Sequence, residues 1–361
     1  MKYVVRPKGY YQNVDEKLSH AVCSQPFKYL EILARGETCA CCIGWLPINT
    51  GKVTDNAPDM FENFERKYLQ SRMLKGVFNH CNDKCPFLNS YLTTGKFNNF
   101  VRPREGFEST LESIPFEVML SYEESCNLYC PSCRNGLIHQ IRPNLEIHNK
   151  VVKIINYLAQ KEKEVIVTIT GTGDPFASAL FWKFITDYAD NGMPDNLFLS
   201  FKTNGVLMDK QRWERIKPIW SHIKTVNVSV DAGFEETYIK IRRGGNWGIL
   251  NKNLNLLDEM IMNGDFPNLA GWNTNMIIQK GNFRDMKQYI LNQLKYASKP
   301  LISAIPIIQW GHILDLKFED MAIWKPTHPQ YGEFVDMLQD PIFDNPLFDF
   351  QDLEFFRHGA L

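Results

Sequence analysis

The chain has 361 residues, 44% of them hydrophobic and 22% charged, which is enough for a sizeable buried core. Forty basic against forty-one acidic side chains leave a formal charge of -1, so no global pull toward nucleic acid or anionic membranes is expected. The opening MKYVVRPKGYYQNVDEK has no continuous apolar stretch, and no run of about 18 uncharged apolar residues occurs, so the chain reads as a soluble cytoplasmic protein without a membrane span.

In chain order, the first hundred residues are rich in cysteine. YLEILARGETCACC reads as a strand, a turn around Gly36 and a second, cysteine-bearing strand. FENFERKYLQSRMLKG reads as a helix and precedes HCNDKCPFL. Cys23, Cys39, Cys41, Cys42, Cys81 and Cys85 fall in this region, and all nine cysteines lie between positions 23 and 133. An odd number rules out complete internal disulfide pairing, and a chain of this length does not need disulfide stapling. Reduced thiolates holding a metal or a cluster explain the clustering better. Residues 1–100 are therefore expected to form a small cysteine-rich module, joined to the rest of the chain by a linker near TTGKFNNFVRPREG.

From about position 116 onward, short β-rich runs alternate with helical patterns. FEVMLSY is the first predicted strand, and CNLYCPSCR follows it directly. EIHNKVVKIINYLAQ places Ile147, Val151, Ile154, Ile155 and Leu158 at helical spacing. EVIVTIT, NLFLSFKT, TVNVSVD, TNMIIQ and LISAIPIIQ are the next five strands, separated by helical stretches. Strands alternating with helices of this length imply βαβ units and a parallel sheet. The expected fold is α/β: a partial (β/α)6 TIM-like barrel over residues 113–312, preceded by the N-terminal module and followed by a helical extension over 313–361. In such barrels ligands sit where loops leave the C-terminal strand ends, which is where the cysteine loop, GTGDP, TNG and DAG all fall. Trp310-Gly311-His312, after the sixth strand, is a further candidate for the cavity lining.

The loop CNLYCPSCR carries Cys126, Cys130 and Cys133. Three thiolates hold three irons of a [4Fe–4S] cube and leave the fourth open, whereas electron-transfer clusters use four cysteines. The competing reading is zinc, with Cys130 and Cys133 as a knuckle completed from elsewhere. Disulfide exchange at Cys130-Pro131-Ser132-Cys133 is disfavoured, because the pair does not open a helix.

CNLYCPSC after a first barrel strand resembles the CxxxCxxC signature of radical S-adenosylmethionine (SAM) enzymes. GTGDP (171–175) resembles that family's glycine-rich loop. KTNG (202–205), NVSVDA (227–232) and YIKIRRGGNW (238–247) resemble its third- and fourth-strand segments. The resemblance covers roughly residues 115–310. It implies a [4Fe–4S] cluster on Cys126, Cys130 and Cys133, with S-adenosylmethionine chelated to the open iron and cleaved to a 5′-deoxyadenosyl radical. It further implies cofactor contacts from Gly171, Gly173, Asp174, Pro175 and Asn204. Ser229 and Arg242 are candidates for ribose or carboxylate contacts. The family's aromatic or apolar residue before the third cysteine is Ser132 here, so Tyr129 becomes the candidate for adenine packing. Two plainer readings stand beside these: Asp174 as a helix cap and Arg242 as a surface ion-pair residue.

CSQPFKYLEILARGETCACC followed by CNDKCPF resembles the auxiliary-cluster modules called SPASM or twitch, which normally follow the barrel rather than precede it. The resemblance implies a second [4Fe–4S] cluster on Cys23, Cys41, Cys81 and Cys85, with Cys42 the substitute for Cys41 and Cys39 a further candidate. A structural zinc site, with His80 as a donor, is the alternative. The expected partners are an electron donor such as flavodoxin or ferredoxin and a peptide, sugar or other small-molecule substrate. The competing function is a non-catalytic zinc- or iron–sulfur-binding scaffold or regulator.

Overall fold

The computed structural model describes residues 16–82, 85–111, 113–139, 144–309, 315–349, 353, 356 and 357. Trp310, Gly311 and His312 lie outside the described residues. The chain divides into two compact units, residues 1–123 with 144–171, and residues 124–143 with 172–361.

The first unit contains strands β1 (Ala21–Cys23), β2 (Tyr29–Leu33), β3 (Glu37–Cys39), β4 (Asn49–Lys52), β5 (Val101–Pro103), β6 (Glu117–Ser121) and β7 (Val165–Ile169). β2, β3 and β4 form an antiparallel meander, and the β2–β3 turn has Gly36 at φ +71°. A Cβ at Gly36 would sit 2.8 Å from Val53 Cγ2, so both the left-handed backbone and the close neighbour exclude a side chain there. β2 also pairs parallel with β6, Tyr29 opposite Glu117 and Leu33 opposite Ser121, and β6 pairs parallel with β7. The cysteine-rich hairpin is thus sheet-continuous with the first predicted barrel strand. β5, inside the stretch read as a linker, pairs antiparallel with β1.

Helix Leu145–Lys161 carries Val151, Ile154, Ile155 and Leu158, all fully buried, on one stripe. Burying such side chains is worth about 1.5–3 kcal/mol each relative to exposure. The Asn144 side chain accepts from Ile147 N and caps the helix start.

The second unit holds β8 (Leu197–Thr203), β9 (Ile223–Ser229), β10 (Gly271–Ile278), β11 (Leu301–Pro306) and β12 (Phe348–Asp349), parallel neighbours in that order. Between them run helices Lys210–Arg215, Glu235–Ile241, Trp247–Met262 and Met286–Gln293, with Ala179–Asn191 ahead of β8. The α/β class and the alternation expected from the sequence are both present. Phe201 on β8 packs against Phe176 and Trp213, which places one face of the strand under the helices. The C-terminal segment contributes helix Tyr331–Met337 and the edge strand β12, a strand the hydrophobic pattern does not announce because it is only two residues long.

Candidate metal and cofactor site

The three-cysteine loop belongs to the second unit. Cys126 and Cys130 are buried and Cys133 is exposed, and all three are free thiols. Each sulfur faces an N–H donor. Leu128 N and Asn204 Nδ2 lie 3.4 and 3.6 Å from Cys126 Sγ, Arg242 Nη1 lies 3.7 Å from Cys130 Sγ, and Arg134 Nη2 lies 3.5 Å from Cys133 Sγ. Burial pushes the Cys126 thiol up to about 11, with Asp174 adding to the rise. Burial also raises Cys130, against the pull of the Arg242 guanidinium.

The loops that follow successive strands meet here. Asp174 is completely buried; its Oδ2 accepts from Thr203 Oγ1 at 2.8 Å and Asn204 N at 2.9 Å, and its Oδ1 accepts from Phe176 N at 3.0 Å. Asp174 N donates to Ser125 O at 3.0 Å. This carboxylate therefore ties GTGDP to TNG and to the cysteine loop. Burial raises its pKa despite those donors. Ser178, not Asp174, caps helix Ala179–Asn191. Asn204 is buried and bridges Cys126 Sγ and Asn127 Oδ1, the latter at 2.8 Å.

Arg242 is ion-paired, but not at the surface. Its Nη2 lies 2.9 Å from Asp231 Oδ2, with the two side chains 13% and 3% exposed. Burial works against its charge, yet Asp231 and Cys130 hold the guanidinium protonated. Asp231 takes the left-handed backbone at φ 61°, unusual for a residue other than glycine, and its Oδ1 accepts from Ile277 N. Tyr129 is exposed and lies over Gly244, where an added Cβ would meet its ring at 3.2 Å. Gly171 is exposed and Pro175 is buried, Gly173 is half-buried in the same loop, and Ser229 is half-buried on β9.

Two members of this network escaped the sequence reading. Arg134 is buried and donates to Glu124 O and Thr172 O as well as to Cys133, and its position directly after the third cysteine was the available signal. Asp231 had no signal beyond the DAG tripeptide, because its role depends on a left-handed turn.

In the first unit, Cys81 and Cys85 belong to a buried apolar cluster against which Cys23 and Cys41 pack. Cys39 is buried on β3 outside that cluster. The second hairpin strand ends at Cys39, so Cys41 and Cys42 stand in the loop beyond it and strand alternation does not decide between them. Burial pushes Cys41 up, followed by the neighbouring thiols Cys23, Cys81, Cys85 and Cys42 in that order. The His80 ring packs edge-on to Tyr68 with centroids 5.5 Å apart. Among the described residues no three His, Cys, Asp or Glu side chains are grouped as ligands of one metal ion.

Residues 122–280 match the family model of the radical SAM superfamily. The chain contains a radical SAM domain. No curated protein matches it. A radical SAM domain implies a [4Fe–4S] cluster and S-adenosylmethionine, and the donor set fits such a cluster: three free thiols on one loop, each sulfur met by an N–H donor of the kind that tunes cluster potential. Among the described residues no helix is long and apolar enough to cross a membrane.

Proposed function

We propose that this radical SAM domain generates a 5′-deoxyadenosyl radical and uses it to abstract hydrogen from a peptide or small-molecule substrate, and that the cysteine-rich region holds an auxiliary [4Fe–4S] cluster. When bound, the cluster and S-adenosylmethionine supply one-electron cleavage of a carbon–sulfur bond. The observation that carries the reading is the single loop presenting Cys126, Cys130 and Cys133, each with its own N–H donor.

The chain's own residues have distinct tasks on this reading. Cys126, Cys130 and Cys133 bind the cluster, while Asn204, Arg242 and Arg134 stabilise negative charge on their sulfurs. Asp174 fixes the relative positions of the cysteine, GTGDP and TNG loops. Gly171, Gly173 and Pro175 present loop backbone to the cofactor, and Ser229 and Tyr129 contact its nucleoside part. In the N-terminal region the packing of Cys23, Cys41, Cys81 and Cys85 against one apolar cluster supports these four as the auxiliary ligands. An electron donor of the flavodoxin or ferredoxin kind supplies the electron.

Anaerobic reconstitution tests the proposal. About eight irons per chain and dithionite-dependent 5′-deoxyadenosine are expected. Two zinc ions, or no cleavage with a competent reductant, would replace it with a binding or scaffolding role.

A further inference from the structure

Helix Phe64–Leu74 in the first unit has two contrasting faces. On its inner face Leu69 and Met73 are fully buried in the apolar cluster that contains Cys81 and Cys85 and against which Cys23 and Cys41 pack. Its outer face carries Phe64, Tyr68 and Arg72 and ends at Lys75, spaced four, four and three residues apart, so these side chains form one stripe. Phe64 is 60% exposed and Tyr68 40%, and their rings stack with centroids 5.7 Å apart. The His80 ring, directly before Cys81, meets Tyr68 edge-on. A single exposed aromatic needs no explanation, whereas three rings in contact make a patch. Arg72 and Lys75 are in no ion pair among the described residues, and Arg72 Nε is a buried donor without an acceptor. Lys67, on the flank, is paired with Glu62, and Glu65 stands in the first turn, where it complements the helix dipole.

We infer that this stripe is the docking surface of a small acidic electron-carrier protein, which delivers its electron to the auxiliary cluster beneath the helix. The inference deepens the proposed function by naming where its electron donor binds, and it rests on the auxiliary cluster of that reading. A convex helix face offers no cavity for a small molecule, so its occupant is a protein. About three helical turns make an interface at the small end of the range, the size at which transient electron-transfer partners meet. Aromatic rings beside an arginine are the composition of interface hot spots. The unpaired cations at the carboxyl end of the helix match anionic side chains on a partner, and such complementarity speeds encounter more than it tightens binding. A helix with its side chains is about 10–12 Å across, so a carrier seated on the outer face brings its redox centre within tunnelling range of the cysteines beneath. Tyr68 and His80 continue that contact inward to Cys81. One electron crosses. The carrier is oxidised by one equivalent and the cluster goes from [4Fe–4S]2+ to [4Fe–4S]+, with no bond formed or broken and no proton transferred.

The test uses the full chain carrying Cys126→Ser, Cys130→Ser and Cys133→Ser, reconstituted so that only the auxiliary cluster is present. Reduced flavodoxin and, separately, reduced ferredoxin are mixed with it, and bleaching of the cluster absorbance is followed by stopped flow. Reduction by at least one carrier is expected, slowing as salt is added. Phe64→Ala with Tyr68→Ala, and Arg72→Gln with Lys75→Gln, are each expected to lower that second-order rate about tenfold, and the second pair also flattens the salt dependence. Lys183→Gln, on the exposed face of helix Ala179–Asn191, leaves the rate unchanged. Dithionite, too small to need a docking surface, reduces every variant at one rate, and thermal melting shows whether each is folded. A chain whose cluster dithionite bleaches but neither carrier does overturns the docking surface while the auxiliary cluster stands. A folded double variant of either kind that keeps the parent rate does the same. A chain that takes up no iron removes the auxiliary cluster, and the inference falls with it.

Discussion

Arg242 donates from Nη1 to Cys130 Sγ across 3.7 Å while its other nitrogen, Nη2, is committed to Asp231. A guanidinium shared between a buried carboxylate and a thiolate is fixed from both sides. Removing it leaves Asp231 buried without its counter-charge, which costs on the order of 3–5 kcal/mol. Arg242→Leu is therefore expected to lower the urea midpoint sharply, and Arg242→Leu combined with Asp231→Asn to recover most of the loss. Simple additivity of the two changes would show that the pair is not coupled.

Arg134 gathers Glu124 O, Thr172 O and Cys133 Sγ onto one guanidinium. Arg134→Gln is predicted to loosen Cys133, the third ligand of the proposed cluster, with iron retention under a chelator falling about 10- to 100-fold, the usual effect of losing a partner that orients a metal ligand. The reduction potential should move negative as well, because a positive donor to the sulfur is gone. Unchanged voltammetry alongside unchanged chelator resistance would remove Arg134 from the site.

Burial of Asp174 raises its folded pKa above the unfolded value of about 3.9. For a raised carboxyl, the folded state holds its proton more tightly than the unfolded state does. Its contribution is therefore complete below the unfolded pKa and is lost as pH rises through the folded one. Urea unfolding of wild type and Asp174→Asn between about pH 4 and pH 7 should converge or cross, with the wild-type curve losing ground toward neutrality. Parallel curves would mean that the carboxyl titrates alike in both states.

The packing of Cys41 with Cys23, Cys81 and Cys85 separates it from Cys39. Cys41→Ser is expected to halve the reconstituted iron content, from about eight to about four per chain. Cys39→Ser and Cys42→Ser should keep the full complement. Loss of half the iron in Cys42→Ser instead would reassign the ligand.

A Cβ at Gly171 would clash with Ser121 Oγ, whose hydroxyl donates to Glu31 Oε1 at 2.8 Å. Gly171→Ala should cost about 1–3 kcal/mol by overpacking. Much of that cost should vanish in a Ser121→Ala background, read as a non-additive double-mutant cycle. An equal penalty in both backgrounds would locate the strain elsewhere.

The strand–helix alternation was readable because its apolar residues recur at clean periods, as Val151, Ile154, Ile155 and Leu158 do on the helix after the cysteine loop. The three-cysteine loop was legible from spacing alone. What the periodicity hid depends on distant pairing. The parallel β2–β6 register joins a cysteine-rich hairpin to a barrel strand, and no local pattern records such a partner. Arg242 was legible as a cation but not as the neighbour of Cys130, since its position follows from the turn at Asp231. Lys202, Asn227 and Asn273 alternate with buried apolar residues on β8, β9 and β10, but half-buried asparagines look like ordinary strand surface until the register aligns them.

The parallel pairing of β2 with β6 also constrains how the chain is made. Glu31 and Ser121, bonded across these two strands, are 90 positions apart in sequence. At a synthesis rate of about 5–20 residues per second, β2 leaves the ribosome roughly 5–18 seconds before its neighbour exists. During that interval the meander presents an unpaired strand edge, the kind of surface on which nascent chains stick to one another. A shortened chain that begins after the hairpin inverts the hazard, leaving β6 as the bare edge. Yield of soluble protein should therefore fall for truncations on either side of this seam, and chaperone dependence should concentrate there.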